Sequence, residues 1–157
     1  MRAQDMIKFP ASLWAKIGGR IATKIVTDSD AGFGISTSGK SVLGKKKKHK
    51  PYSAKYKILK AAGKAGPKNV STDRQVSPPN LRLTNVMLGS IKAQKPTQTG
   101  VDVVFRDGMK VEYNARMGRD IYGISKDNEK RITNELSDFI GKQIGKYARD
   151  SINITIG

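Results

Sequence analysis

The side chains able to do chemistry are few in kind: one histidine, thirteen acids, thirty lysines and arginines, and no cysteine. Without a thiol there is no disulfide, no thiolate metal site and no sulfur nucleophile. The single histidine, His49, lies within the basic run Lys45-Lys46-Lys47-Lys48-His49-Lys50. A nucleophile–histidine–acid set must pass through that residue, and a histidine flanked by lysines reads as exposed and incidental. The acids are scattered. Asp102, Asp107 and Glu112 fall on an expected hairpin, while Glu129, Glu135 and Asp138 fall on the polar side of an expected helix, where solvation accounts for them. Asp28 and Asp30 are not followed by the further oxygen ligands and closing Glu of a calcium loop. The Gly32-x-Gly34 stretch has no strand–helix unit around it, and Ser38-Gly39-Lys40 lacks the other glycine of a phosphate loop. Nothing points to a buried lysine. These residues predict no catalytic set, no metal, no cofactor and no enzymatic activity.

The strongest chemical signal is electrostatic. Of a net charge of +17, an excess of +11 lies between Lys40 and Arg74, where twelve basic residues accompany one acid, Asp73. Such a segment repels itself unless something acidic lies beside it. Lys45, Lys46, Lys47, Lys48 and Lys50, with Lys55 and Lys57 after them, are the candidate contacts. Against DNA, each well-placed lysine neutralises about one phosphate without reading sequence. A neighbouring subunit's acidic surface is a second possible counterpart, and plain solvation a third.

The elements around this segment follow from periodicity. A chain of 157 residues, 37% apolar and 6% aromatic, suits a single domain over 1–157 with one modest core. Leu13, Trp14, Ile17, Ile21 and Ile25 recur at helical spacing, predicting a helix over 11–26 with Ser12 as a possible cap and Gly18-Gly19 as a weak point. Residues 27–80 read as a glycine- and lysine-rich loop or arm, interrupted by a short helix within 51–64 that carries Tyr52, Tyr56 and Leu59 on one side. Leu81, Leu83, Val86, Met87 and Ile91 suit a short helix after Thr84, with Met87 as core filler. Val101–Ala115 reads as a hairpin turning at Asp107-Gly108, with Met109, Val111 and Tyr113 on its buried face, and Ile91–Gln98 as a possible further strand. Ser125 is placed to cap a helix over 126–147, whose stripe of Ile132, Leu136, Phe139, Ile140, Ile144 and Tyr147 must be buried, against Val111 and Tyr113. Ile152, Ile154 and Ile156 alternate as a closing strand. The expected class is α+β, a small antiparallel sheet packed against a long C-terminal helix and an N-terminal helix, with a long basic loop or arm. No apolar run has the length of a leader core or a membrane span, so neither export nor membrane insertion is expected.

Two segments carry a resemblance. Leu81, Leu83, Thr84, Met87, Leu88, Ser90 and Ile91 resemble the Leu-x-Leu-Thr-Gly-x-Leu-x-x-Ser-Ile-like segment of the phage virion morphogenesis family, with Asn85 where glycine is usual. Arg119, Ile121, Tyr122, Gly123, Ile124 and Ser125 resemble the segment that opens its last helix, with Asp120 in place of the common proline. The structural motif residues carried over are Leu83, Thr84, Ile91, Arg119, Gly123 and Ser125. The resemblance implies a tail-completion or neck (head–tail connector) protein of a tailed bacteriophage, a virion structural component without a reaction. It also implies a homo-oligomeric ring of six or twelve subunits around the DNA channel, with connector, portal or tail proteins as neighbours, assembled in the host cytoplasm. The residue-level alternative is a small basic DNA-binding or packaging accessory protein.

Overall fold

A computed structural model describes residues 8–37, 43–82, 86–121 and 123–151. Five helices and five strands are seen among them: α1 Ala11–Asp30, β1 Phe33–Thr37, β2 Leu43–Lys48, α2 Ala54–Ala61, α3 Val86–Gly89, β3 Lys92–Gln94, β4 Asp102–Val104, α4 Gly108–Arg116, β5 Ile124–Ser125 and α5 Lys126–Ser151. The chain is α+β, with small sheets and a long C-terminal helix. The strands form two sheets rather than one. In the first, β2 is central, antiparallel to β1 and parallel to the two residues of β5, and the second is the antiparallel pair β3–β4.

Helix α1 starts after Pro10 without a side-chain cap, so Ser12 does not serve as one, and it runs unbroken through Gly18-Gly19 to Asp30. Gly18 is where the helix meets its neighbours: a Cβ there would come within 2.8 Å of the Ala93 side chain and 2.9 Å of Val101. The missing side chain is what lets α1 lie against the β3–β4 pair. Gly19, on the other side, faces open space.

Residues 27–80 are not a loop or arm throughout. They hold the end of α1, the β1–β2 hairpin and α2, which Ser53 caps by accepting from the Tyr56 N–H. The expected 101–115 hairpin is also corrected. Its first arm is the short strand β4, which pairs with β3, while its second arm is helix α4, with Asp107 as N-cap accepting from the Lys110 N–H. Aspartate suits either a turn or a helix start, and seven residues of alternation in Met109–Ala115 were too few to separate the two periods.

The core comprises Tyr52, Leu81, Met87, Leu88, Val111 and Ile121, with Ile25, Val26, Tyr56, Ile91 and Phe105 packed against it. It draws on α1, α2, α3 and α4, and the α5 stripe is not part of it. Val111 is fully buried but Tyr113 is exposed, so the expected burial of that stripe against Val111 and Tyr113 does not occur. Helix α5 instead starts on the first sheet, capped by Ser125, whose hydroxyl accepts from the Asn128 N–H. It touches α1 through the ion pair of Glu135 with Arg20, and the residues just before α1 through Phe139 on Phe9, with ring centroids 5.6 Å apart. Ile132, Leu136, Phe139 and Ile140 are half-buried, and Ile144 is 56% exposed. The expected closing strand, together with Leu83 and Thr84, lies outside the described residues.

Candidate nucleic-acid interface

The lysine run is a strand. Four like charges in sequence disfavour compact structure, so the pairing must come from the neighbours. Phe33↔Lys48, Gly34↔Lys47, Ile35↔Lys46 and Ser36↔Lys45 are opposite one another, and alternation sends Lys46 and Lys48 to the Ile35 side and Lys45 and Lys47 to the other. Lys46 is consumed structurally. Its Nζ lies 2.7 Å from the Asp28 carboxylate and 4.5 Å from the Phe33 ring centroid. Lys24 reaches the same Asp28 oxygen from one turn away, also at 2.7 Å. Burial alone would raise the Asp28 carboxyl, but these two lysines outweigh it and hold the group below the usual carboxylate value.

Lys45, Lys47 and Lys48 are exposed and have no ion-pair partner among the described residues. The parallel pairing with β5 stops at Gly44↔Ser125, which leaves the outer edge of the lysines without a strand beside it among the described residues. Lys50 is exposed, its stem lying against Gly118, which has φ +74°. Lys55 is exposed on α2 and Lys57 half-buried. The seven candidate lysines therefore divide into one tied to the fold, Lys46, one half-buried, Lys57, and five exposed, of which Lys45 and Lys47 share one face of β2 and Lys48 lies on the other. That arrangement attracts phosphate and offers no base-reading helix.

Comparisons with protein-family models, with curated proteins and with solved structures gave no match. What the site can do rests on its own geometry. Among the described residues no three His, Cys, Asp or Glu side chains converge to hold a metal, and no helix is long and apolar enough to cross a membrane.

The motif residues have structural work. Arg119 is buried, donates from Nε to the Lys50 carbonyl and from Nη2 to the Pro51 carbonyl, both at 3.0 Å, and lies 4.8 Å from the Tyr52 ring centroid. It thus ties the end of the lysine strand to the core. Gly123 has φ +127°, Ser125 caps α5, and Ile91 packs on the core. Next to this, the Asp120 carbonyl accepts from the Ile35 N–H at 3.1 Å, and Gly34 makes the approach possible, because a Cβ there would sit 1.7 Å from that carbonyl oxygen.

His49 and Lys60, both expected in solvent, are buried. His49 is 5% exposed rather than free in solvent, its backbone N–H donates to the Gly32 carbonyl at 2.8 Å, and its ring Nε2 has no partner among the described residues. Burial, then the nearby Arg119 charge, push its pKa down to about 4. Lys60 is fully buried, contrary to the expectation that no lysine would be. Its Nζ donates to Asn80 Oδ1 at 2.8 Å, with Tyr52 Oη at 3.5 Å and Asp73 Oδ1 at 3.6 Å, and burial lowers its pKa. A signal for Lys60 existed: it follows Tyr52 and Tyr56 by eight and four residues, on the side of the short helix that carries both tyrosines. His49 offered none, since its burial depends on strand pairing with a distant segment.

Proposed function

We propose that this chain is a structural subunit of the neck or tail-completion ring of a tailed bacteriophage, joining head and tail around the DNA channel. It acts in the virion, beside further copies of itself and neighbouring connector, portal or tail proteins, and performs no reaction. The observation that supports this reading best is α5 beyond Phe139. The apolar stripe continues through Ile140 to the exposed Ile144, while Gly141 and Gly145, four residues apart, face open space. One subunit gains nothing from apolar residues there, and each glycine costs about 1 kcal/mol of helix propensity relative to alanine. A second subunit closing on that face would bury the stripe and use the absent side chains for close approach. The resemblance around Leu81–Ile91 and Arg119–Ser125 supports the same reading, and the outward lysines supply a surface for DNA in the channel.

The test is sedimentation velocity with electron microscopy at low and 0.5 M salt, with and without duplex DNA. A discrete closed oligomer that persists in salt without DNA, and is abolished by Ile144→Glu with helicity retained, is the expected result. A monomer under every condition refutes the assembly. The exposure of Lys45, Lys47 and Lys48 together favours one other reading, a DNA-binding accessory protein. A monomer whose affinity for duplex DNA falls with a log–log salt slope of roughly −3, about −0.9 per phosphate neutralised, would establish that reading instead.

A further inference from the structure

Helices α1 and α5 meet at Arg20–Glu135, with Phe9, just ahead of α1, on Phe139, but do not close on each other along their length. Between them runs a groove of about 530 Å³. The half-buried Ile21 and Ile132 contribute apolar surface, with Ile17 buried at the floor, and on α1 the residues Gly19, Thr23 and Thr27 form a row of small side chains spaced by four. A Cβ on Gly19 would meet nothing within 4 Å, so the space beside it is open. The rim is basic. Lys16, Arg20, Lys24 and Arg131 line the groove, with Glu135 the only carboxylate. Glu135 is taken by Arg20, and Lys24 by Asp28, which leaves Lys16 and Arg131 without an ion-pair partner among the described residues.

We propose that this groove is the docking site of an acidic amphipathic helix of a partner protein, with its apolar ridge on the isoleucines and flanking carboxylates against Lys16 and Arg131. Three physical arguments select that occupant. Both walls are helices whose backbone groups are already paired internally, so no edge is available for an added strand, and the occupant must satisfy its own backbone. The isoleucine surface gives nothing to a phosphate backbone, whereas an apolar ridge removes it from water at about 25 cal/mol per Å². The rim charges favour an acidic partner over a second copy, which carries the same net +17. Glu135 Oε2 is buried without a hydrogen-bond partner, so a hydroxyl or amide donor on the ridge facing it would add specificity. The groove would accept such a helix whether or not the chain forms a ring, and the two properties are read by different measurements.

The test uses the full chain and fluorescently labelled synthetic peptides of about 20 residues, followed by anisotropy. One peptide has a leucine stripe flanked by glutamates, one the same stripe flanked by lysines, and one the glutamates with serine in place of each leucine. The first is expected to bind, and each control to bind at least about tenfold more weakly, ~1.4 kcal/mol. Gly19→Leu, whose Cβ meets nothing within 4 Å and which adds bulk to the groove, should weaken the first peptide by at least a similar factor. Lys16→Glu with Arg131→Glu should do the same and narrow the preference over the lysine-flanked peptide. Excess duplex DNA should leave the complex in place. Absence of binding by the first peptide overturns the proposal. So does equal binding of the serine peptide, which would be plain charge attraction, or equal binding by Gly19→Leu with unchanged circular dichroism, or displacement by DNA.

Discussion

Lowering the pH from 7 to 5 should weaken the folded state of this protein by about 2 kcal/mol, and the loss should trace to one side chain. His49 is the only histidine, and its pKa falls from the ordinary 6.5 to about 4 in the fold, through burial and then the Arg119 charge. A base whose folded pKa is depressed resists protonation only while folded. Above 6.5 both states are neutral and stability is unaffected. Between 6.5 and about 4 the unfolded chain takes up the proton and the folded chain does not, so stability declines as pH falls. Below about 4 both are protonated and the full loss has been reached. At ~1.36 kcal/mol per pH unit, the 1.5 units between 6.5 and pH 5 give roughly 2 kcal/mol, and the whole interval about 3. Ordinary carboxylates stay largely ionised at pH 5, and Asp28, held below the usual carboxylate value, stays out of this window as well. Urea denaturation at pH 7, 6 and 5, followed by Trp14 fluorescence and circular dichroism, measures the decline. His49→Gln, which cannot titrate, should flatten it. A wild-type loss below about 0.5 kcal/mol, or a His49→Gln protein with the same slope, would falsify the buried, neutral assignment.

Three further outcomes follow from the same packing. Lys60→Ala, which removes a buried ammonium from Asn80 and Asp73 and leaves a cavity, should cost about 3 kcal/mol, whereas Lys60→Met should restore most of it; equal losses in urea titrations would contradict the contact. Gly34→Ala would drive a Cβ into the Asp120 carbonyl and should lower stability by more than about 3 kcal/mol, while Gly19→Ala, with open space before it, should raise it by roughly 0.5–1 kcal/mol, a contrast that thermal melts can read. Among the lysines, Lys46→Ala should destabilise by about 1–2 kcal/mol by leaving Asp28 with one partner, yet Lys47→Ala should leave the melt unchanged and flatten any DNA-binding salt dependence by about one phosphate; the reverse pattern would show the strand facing the other way.

The two long helices were legible in the sequence because their information is local. Stripes spaced by three and four place α1 and α5, Ser125 caps as its type suggests, and Met87 fills the core. The mixed α+β class followed from the same patterns. Elsewhere the local signal was ambiguous, and distant contacts decided it. Asp107 and the alternation after it suit a hairpin arm as well as a helix, and Val111 entering the core selects the helix. Lys45–Lys48 carry no strand preference of their own, and become one because Phe33–Ser36 lie opposite and Asp28 neutralises Lys46 from the end of α1. His49 and Lys60 are polar by type and buried by position, since their surroundings come from Gly32, Arg119, Asp73 and Asn80, far along the chain. The sequence by itself determined where charge accumulates and that the two long helices must exist, because composition and period are properties of neighbours in the chain. The tertiary structure alone decided which lysines remain free to meet a partner, because pairing and burial depend on residues that sequence spacing does not bring together.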